Sequence, residues 1–470
     1  MYMRSNIMKN FFLKLKNYFK EAKAENVYSL DGCVPLVNAI PFGLQHALSM
    51  FIGNISPIIL VCAFIKDVDN SVIQQIIQNG IFIAGIATAI QLFPIWRFGS
   101  KLPIVSGISF TFVGVLISVV SVYGYGTMLG SIIVGGLFIG VFGLLAKYWR
   151  RFIPPIVSSL VVLAIGLSLL SVGAKTFCGG EGLINNPDAV YGFASWQNLL
   201  VATITLVSGI VLNIVLKGVW KNLSILFSLL IGVAISLFFK GMIVPIDFGD
   251  LPIFSLPKFT SFGEITFNLE AIVIVVVIYL VSSTETIGNV SAICDGALEK
   301  EVTEKEIAGG ISAVGFFSAL SGALGCLPVT TYSQNIGMVT QTKVVNRFAI
   351  LTGAIFLIIA GLFPPLAAVI QMIPQPVIGG CTILLFSSIV ITGMQMLAKC
   401  GFNMRNTLII SLSLSIGFGF TLVPEIVSSI FPSVNSLGAL ILSNSVAMIF
   451  IISFVLNLVL PKNMDQKTSE

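Results

Sequence analysis

Residues 325–347 read GCLPVTTYSQNIGMVTQTKVVNR, a polar run set between long apolar stretches. Thr330, Thr331, Tyr332, Ser333, Gln334 and Asn335 follow one another directly. Lipid cannot satisfy such groups, so they must face protein or a water-filled cavity. The β-branched residues after Pro328 favour extended backbone, and a short helix containing Gly337 is expected from Ser333 onward. A helix that starts near mid-membrane aims free N–H groups at whatever occupies the cavity. This stretch therefore implies a solute-binding site.

Composition defines its surroundings. The 470-residue chain is 56% hydrophobic and 10% charged, with a mean hydropathy of +1.01. That excludes a soluble domain and implies a polytopic helical membrane protein. Fourteen segments are expected, at 35–62, 73–95, 102–120 (broken), 127–146, 153–173, 197–216, 221–240, 270–293, 308–326, 327–341 (broken), 348–371, 376–398, 405–423 and 436–460. With the N-terminus inside, twenty-one of the twenty-five Lys and Arg residues fall on the inner side. Only Lys66, Lys175, Lys240 and Lys258 remain outside. A wrong segment count scrambles this asymmetry, so both termini are expected to be cytoplasmic in a plasma-membrane protein.

The polar residues 1–34 carry no signal-peptide pattern and read as a retained cytoplasmic tail. Phe11, Phe12, Leu13, Tyr18 and Phe19 phase as an amphipathic helix on the inner membrane surface, a solvated tail being the equal alternative. The seven scattered Cys form no disulfide framework or metal-ligand spacing. The net charge of +5 reflects orientation bias, and no nucleic-acid partner is expected.

The chain repeats itself. LPIVSGISFTFVG begins at Leu102 and LPVTTYSQNIGMV at Leu327, an offset of 225. IPPIVSSLVVLAIGLSLL begins at Ile153 and IPQPVIGGCTILLFSSIVITGM at Ile373, an offset of 220. Two echoes in order point to a duplication. Seven segments per copy is odd, so the second copy must be inverted. The expected fold is thus all-α, with fourteen transmembrane segments in two inverted seven-segment repeats and broken helices three and ten. Paired interruptions of this kind mark a transporter site at the membrane midplane.

Few residues inside the segments can carry chemistry. Glu285 is the one acid well inside a segment, in LVSSTETIGNVSA, and an intramembrane carboxylate is functional by default. Ser282, Ser283, Thr284, Thr286 and Asn289 make its surroundings a polar stripe that lipid cannot accept. His46, the single histidine, lies in segment one beside Gln45. A satisfied packing role explains it as readily as function. In segment nine, Gly309, Ala313, Gly315, Ser318, Gly322 and Gly325 permit close helix contact, and ordinary membrane packing accounts for them. The acidic residues 295–306 read as a solvated loop.

QNIGMVTQTK, from Gln334 to Lys343, resembles the signature of the nucleobase–ascorbate transporter family: Gln-Asn, a gap, Gly, four free positions, Thr and a basic residue. Gln334, Asn335, Gly337, Thr342 and Lys343 match it. The Gln45-His46 pair, Ser109-Phe110 and the Glu-Thr-Ile-Gly pattern at Glu285 extend the resemblance across the chain from about residue 35. It implies a core of residues 35–146 and 270–371 moving against a gate of residues 147–241 and 372–460. An outer loop, 242–269, and a C-terminal tail, 461–470, complete this division. It also implies import of uracil, xanthine, uric acid or a related base, usually with a proton, Na+ being the other candidate ion.

In that reading Glu285 accepts hydrogen bonds from ring N–H groups and Gln334 binds the opposite edge. Backbone N–H groups near Phe110 and Gly337 meet exocyclic carbonyls, with Ser109 beside them. Asn335 holds the broken region together, and His46 and Gln45 tune segment one. Asn289 and Thr342 support the site. Uracil carriers of the family tend to have Glu where this chain has Gln334, and purine carriers Gln. An oxidised purine is therefore the expected substrate, with uracil the alternative. No cofactor or metal is implied; lipid and a second copy in a homodimer are the expected partners.

Two positions depart from the family pattern. Val314-Gly315 stands where an acid beside Gly is common, and Asn289 where Asp or His is common. An apolar Val314 is a candidate for narrowing the slot. An anion carrier of the same fold would want a fixed positive charge near the broken helices, where this chain has Glu285. A membrane enzyme would need a catalytic cluster that the sequence does not supply.

Overall fold

The apolar segments fold as helices because lipid leaves the backbone no partner but itself. The computed structural model describes residues 22–65, 69–149, 154–184, 190–243, 251–259, 263–431 and 436–461. In the first half lie α1 (Leu36–Cys62), α2 (Asn70–Leu92), β1 (Ser106–Ile108), α3 (Val113–Tyr123), α4 (Tyr125–Leu144), α5 (Pro155–Phe177), α6 (Trp196–Val215) and α7 (Ser224–Ser236). In the second lie α8 (Leu269–Gly296), α9 (Glu304–Ala323), β2 (Val329–Thr331), α10 (Ser333–Thr342), α11 (Arg347–Gly361), α12 (Pro364–Gln371), α13 (Gln375–Cys400), α14 (Met404–Leu422) and α15 (Ser445–Val459).

Every expected segment overlaps one or more of these helices. Among the described residues nine are long and apolar enough to cross a membrane, or ten if α11 and α12 form one span.

Segment eleven is not the continuous helix expected over 348–371. The chain bends by 83° between α11 and α12. Pro364 and Pro365 supply no N–H, and the ring of Pro364 pushes Phe363 off helical geometry, to φ −113 and ψ 87. Segment fourteen also divides, at Asn444, whose side-chain oxygen accepts Ala447 N at 2.9 Å and starts α15 anew.

The helices pack in two sets. α4 lies along α9 and α8, and α11 along α2 and α1, while α5, α6, α7, α13, α14 and α15 pack among themselves. The contact of α4 with α9 is backbone to backbone. A Cβ on Gly315 would sit 2.3 Å from Gly140 N, and one on Gly136 2.6 Å from Ala319 N. The small residues of segment nine are thus used for packing, with one exception, Ser318, described below.

The tail of residues 1–34 is expected to be solvated or surface-bound; its amphipathic stretch lies outside the described residues, but residues 23–34 dock. Val27 and Val34 bury against Val344 and Ala349. Asn346 is fully buried and donates to the carbonyls of Asn26 (3.0 Å), Ser29 (3.1 Å) and Gly32 (3.0 Å). Its oxygen caps α11 through Ala349 N at 2.9 Å. Arg347 bonds Asp31 and Leu92 O and lies over the Phe93 ring. This strap holds the junction between α10 and α11.

Asn346→Ala should lower stability by about 1–3 kcal/mol, from the lost cap plus the lost bonds to three partly buried carbonyls. Thermal unfolding of the detergent-solubilised protein measures it; an unchanged melting temperature would show that the strap is dispensable.

Candidate functional site

The two polar interruptions meet. β1 and β2 pair antiparallel, Ser106 with Thr331, Gly107 with Thr330 and Ile108 with Val329. Ser109 N to Pro328 O and Tyr332 N to Val105 O, both 2.9 Å, extend the ladder by one bond at each end. A two-stranded ribbon leaves its outer edges unpaired, which is costly away from water.

Here side chains from the surrounding helices close both edges in matching fashion. Thr88 of α2 bonds both N and O of Ser106, each at 3.0 Å. Ser318 of α9 bonds both N (3.0 Å) and O (3.2 Å) of Val329. Asn54 of α1 accepts Ile108 N at 2.7 Å, and Asn289 of α8 donates to Thr331 O at 3.0 Å. The first residue of each strand is held by one helix and the third by another. Tyr332 crosses over β1 and donates to Ile108 O at 2.6 Å. Gly107 makes room, since a Cβ there would lie 2.4 Å from the Tyr332 ring.

Each strand hands over to a helix start that faces one cavity of about 190 Å³. After β1, Ser109 caps a short 3-10 turn, Phe110–Phe112, by accepting Thr111 N at 3.2 Å. After β2, the first bond within α10 is Ile336 N to Tyr332 O at 3.3 Å. The N–H groups of Ser333, Gln334 and Asn335 therefore have no acceptor within the helix.

Glu285, Gln334, Phe110, Thr111, Tyr332 and Gly337 contribute to one side of the cavity, and Val162 and Ile165 of α5 with Ser388, Ile389 and Thr392 of α13 to the other. Glu285 Oε2 accepts Thr111 Oγ1 at 2.8 Å. Gln334 Oε1 is buried without a hydrogen-bond partner. No Lys or Arg stands among the described residues of the lining.

A larger cavity of about 790 Å³ adjoins, bordered by the same Phe110 and Thr111 and extending to Lys175, Glu181 and Asn444. Lys175 and Glu181 pair at 2.7 Å. The Phe110 ring meets Phe386 of α13 edge-on, centroids 5.2 Å apart.

A small cavity faced by two helix starts, each following one of two paired strands, is a transporter's arrangement, and the comparisons with known proteins agree. The family model for xanthine and uracil permeases, described as a permease family, matches residues 37–426. The uric acid permease PucK of Bacillus subtilis is 34% identical over 396 residues, covering 83% of this chain and 88% of that one. The chain belongs to the nucleobase–ascorbate transporter family. A xanthine permease of Bacillus subtilis is 31% identical over 422 residues, 89% of this chain and 93% of its own. In fold, the transmembrane domain of the cyanobacterial bicarbonate transporter BicA superposes with a TM-score of 0.54 at 16% identity, covering 90% of this chain and 97% of that one.

This permease brings Glu285, Gln334, Phe110 and Gly337 to the cavity. It does not bring Ser109, whose hydroxyl is turned to Thr111 N. Gly337 lies one turn inside α10, so the free N–H groups expected there belong to Ser333 and Gln334 instead; Gly337 offers the cavity its missing side chain. Asn335 Nδ2 bonds His46 Nδ1 at 3.1 Å and His46 O at 3.2 Å, tying α10 to α1. Gln45 is buried outside the lining, its Nε2 without a partner.

Asn289 also accepts Ser333 Oγ at 2.9 Å, which suits an amide better than an acid because it donates to Thr331 at the same time. Thr342 ends α10, its hydroxyl on Met338 O at 2.8 Å. Val314 is buried in α9 and does not line the cavity, so it does not narrow it. The wall from α5 and α13 escaped sequence reasoning. Its single signal was the second echo, whose two copies contain Val162 and Ser388.

Proposed function

We propose that the protein imports a nucleobase, an oxidised purine such as xanthine or uric acid before uracil, by symport with a proton. The cavity carries this reading. Its volume of about 190 Å³ is below the roughly 300–1,000 Å³ of sites for drug-sized ligands, which suits one small planar molecule. A carboxylate, an amide and free helix N–H groups offer acceptors and donors at its edge, and Phe110, Val162, Ile165 and Ile389 give apolar faces. The names of the Bacillus subtilis relatives, a uric acid and a xanthine permease, support the purine. The uncompensated carboxylate of Glu285 speaks against an anion and for a coupled proton.

In this reading the helix set of α1–α4 and α8–α12 is the core that carries the base, and the set of α5–α7 and α13–α15 the gate. The cavity bordered by Lys175 is the outer entrance, so this is an outward-facing state with Phe110 and Phe386 at the boundary. Competition uptake with uracil, xanthine, uric acid, guanine and hypoxanthine tests the substrate. Xanthine or uric acid should compete best, and a protein that carries uracil while ignoring every purine would overturn the choice. Both termini should be cytoplasmic. Single cysteines at Lys467 and Asn186 should label from inside and outside respectively, and the reverse at either would refute the topology.

A further inference from the structure

A third cavity, of about 720 Å³, lies where α2 ends, whereas the Lys175 cavity reaches Ala63 and Phe64, at the end of α1 that leads toward the start of α2. The 23 residues of α2 separate them by about 34 Å. The walls of this third cavity are the loop after α2, the end of α4 and the start of α9. Arg97, Lys101, Lys147 and Lys305 line it with Glu304 and Glu306.

The acids are engaged. Glu306 pairs with Lys300 and closes a capping box with Thr303, and Glu304 lies 3.7 Å from Lys147. Arg97, Lys101 and Lys305 are exposed and, among the described residues, join no ion pair. Positive charge is left over.

The loop that presents Arg97 and Lys101 is built rather than slack. Trp96 and Lys101 both adopt left-handed backbone, with φ of 56° and 62°, a costly conformation for residues with a Cβ. The surroundings hold it: Lys101 N bonds Gln91 O (2.9 Å), Ser100 N bonds Gln91 Oε1 (2.9 Å) and Gly99 N bonds Gly309 O (2.9 Å). Gln91 Nε2 in turn donates to Gly310 O at 3.1 Å.

Beside the cavity, Leu137, Phe138 and Val141 on the last two turns of α4 and Leu145 just past its end form an exposed apolar stripe, and Leu145 itself lines the cavity. Trp96 and Tyr148, 71% and 67% exposed, flank the same opening, the residue types that settle at a membrane–water interface.

We propose that this cavity binds the headgroup of an anionic phospholipid, with an acyl chain along the α4 stripe. The charge alone would suit a free phosphate as well. The continuous apolar track into Leu145 and the two interfacial aromatics select the lipid. The proposal is independent of which solute is carried.

The test is retention of dioleoylphosphatidylglycerol against dioleoylphosphatidylcholine, by native mass spectrometry of the purified full chain. Wild type should retain the anionic lipid preferentially. R97Q with K101Q should weaken that retention roughly 25-fold, about fivefold for each charge near the membrane surface. K305Q alone should weaken it about fivefold, which keeps the test open if the double variant fails to fold. Millimolar inorganic phosphate should not displace the lipid. Equal retention of both lipids, unchanged retention in the variants, or displacement by phosphate would each overturn the proposal.

Discussion

Glu285→Gln should reduce uptake by about 100-fold or more while the protein remains folded and in the membrane. The side chain keeps its shape, but an acceptor-only group becomes one that also donates. Thr111 can turn its hydroxyl to suit either, so the local contact at 2.8 Å survives in altered form. The loss falls on the base. A ring N–H would face an amide N–H, and buried groups left unpaired cost about 1–3 kcal/mol each. An amide also cannot take up a proton, so any coupling through this position stops. Uptake of labelled xanthine across pH, with the amount of folded protein followed by size-exclusion chromatography, measures both. Near-normal uptake with an unchanged pH profile would sink the assignment.

Gln334→Glu should weaken purine uptake by about 1–3 kcal/mol in apparent binding, a factor of roughly 5 to 150, and shift preference toward uracil. Gln334 is the second residue of α10 and lines the cavity, and its Oε1 is buried with no protein partner. The amide both donates and accepts, matching a purine edge with an N–H beside an acceptor. A carboxylate removes the donor and sets a second acid on the same side of the cavity as Glu285. Competition curves for xanthine and uracil, in wild type and variant, decide it. An unchanged ratio of the two would remove Gln334 from the role of selector.

Glu285 was legible from the chain because a carboxylate surrounded by apolar residues is too costly to be accidental. The crossing strands were half legible. Proline and a polar run announced two interruptions, and their pairing pointed to a site at the membrane midplane. The residues that make the crossing possible were not. Thr88, Ser318 and Asn54 are polar residues among several in largely apolar helices, where a hydroxyl or amide so often bonds back to its own backbone that nothing distinguishes them. Ser318 in particular was absorbed into a small-residue packing pattern.

The sequence by itself determined the class of molecule, the two places where polar runs interrupt the helices and the one charge that must be used. Each of these follows from what lipid cannot solvate, and that is a property of residue type. Only the tertiary structure decided that Thr111 is the partner of Glu285, that α5 and α13 wall the slot, and that residues 23–34 strap the end of α10. Those contacts join groups as far apart as 174 and 320 positions in the chain, and the strap is held largely through backbone carbonyls that every residue carries. Neither distance nor composition leaves a mark of them in the order of the amino acids.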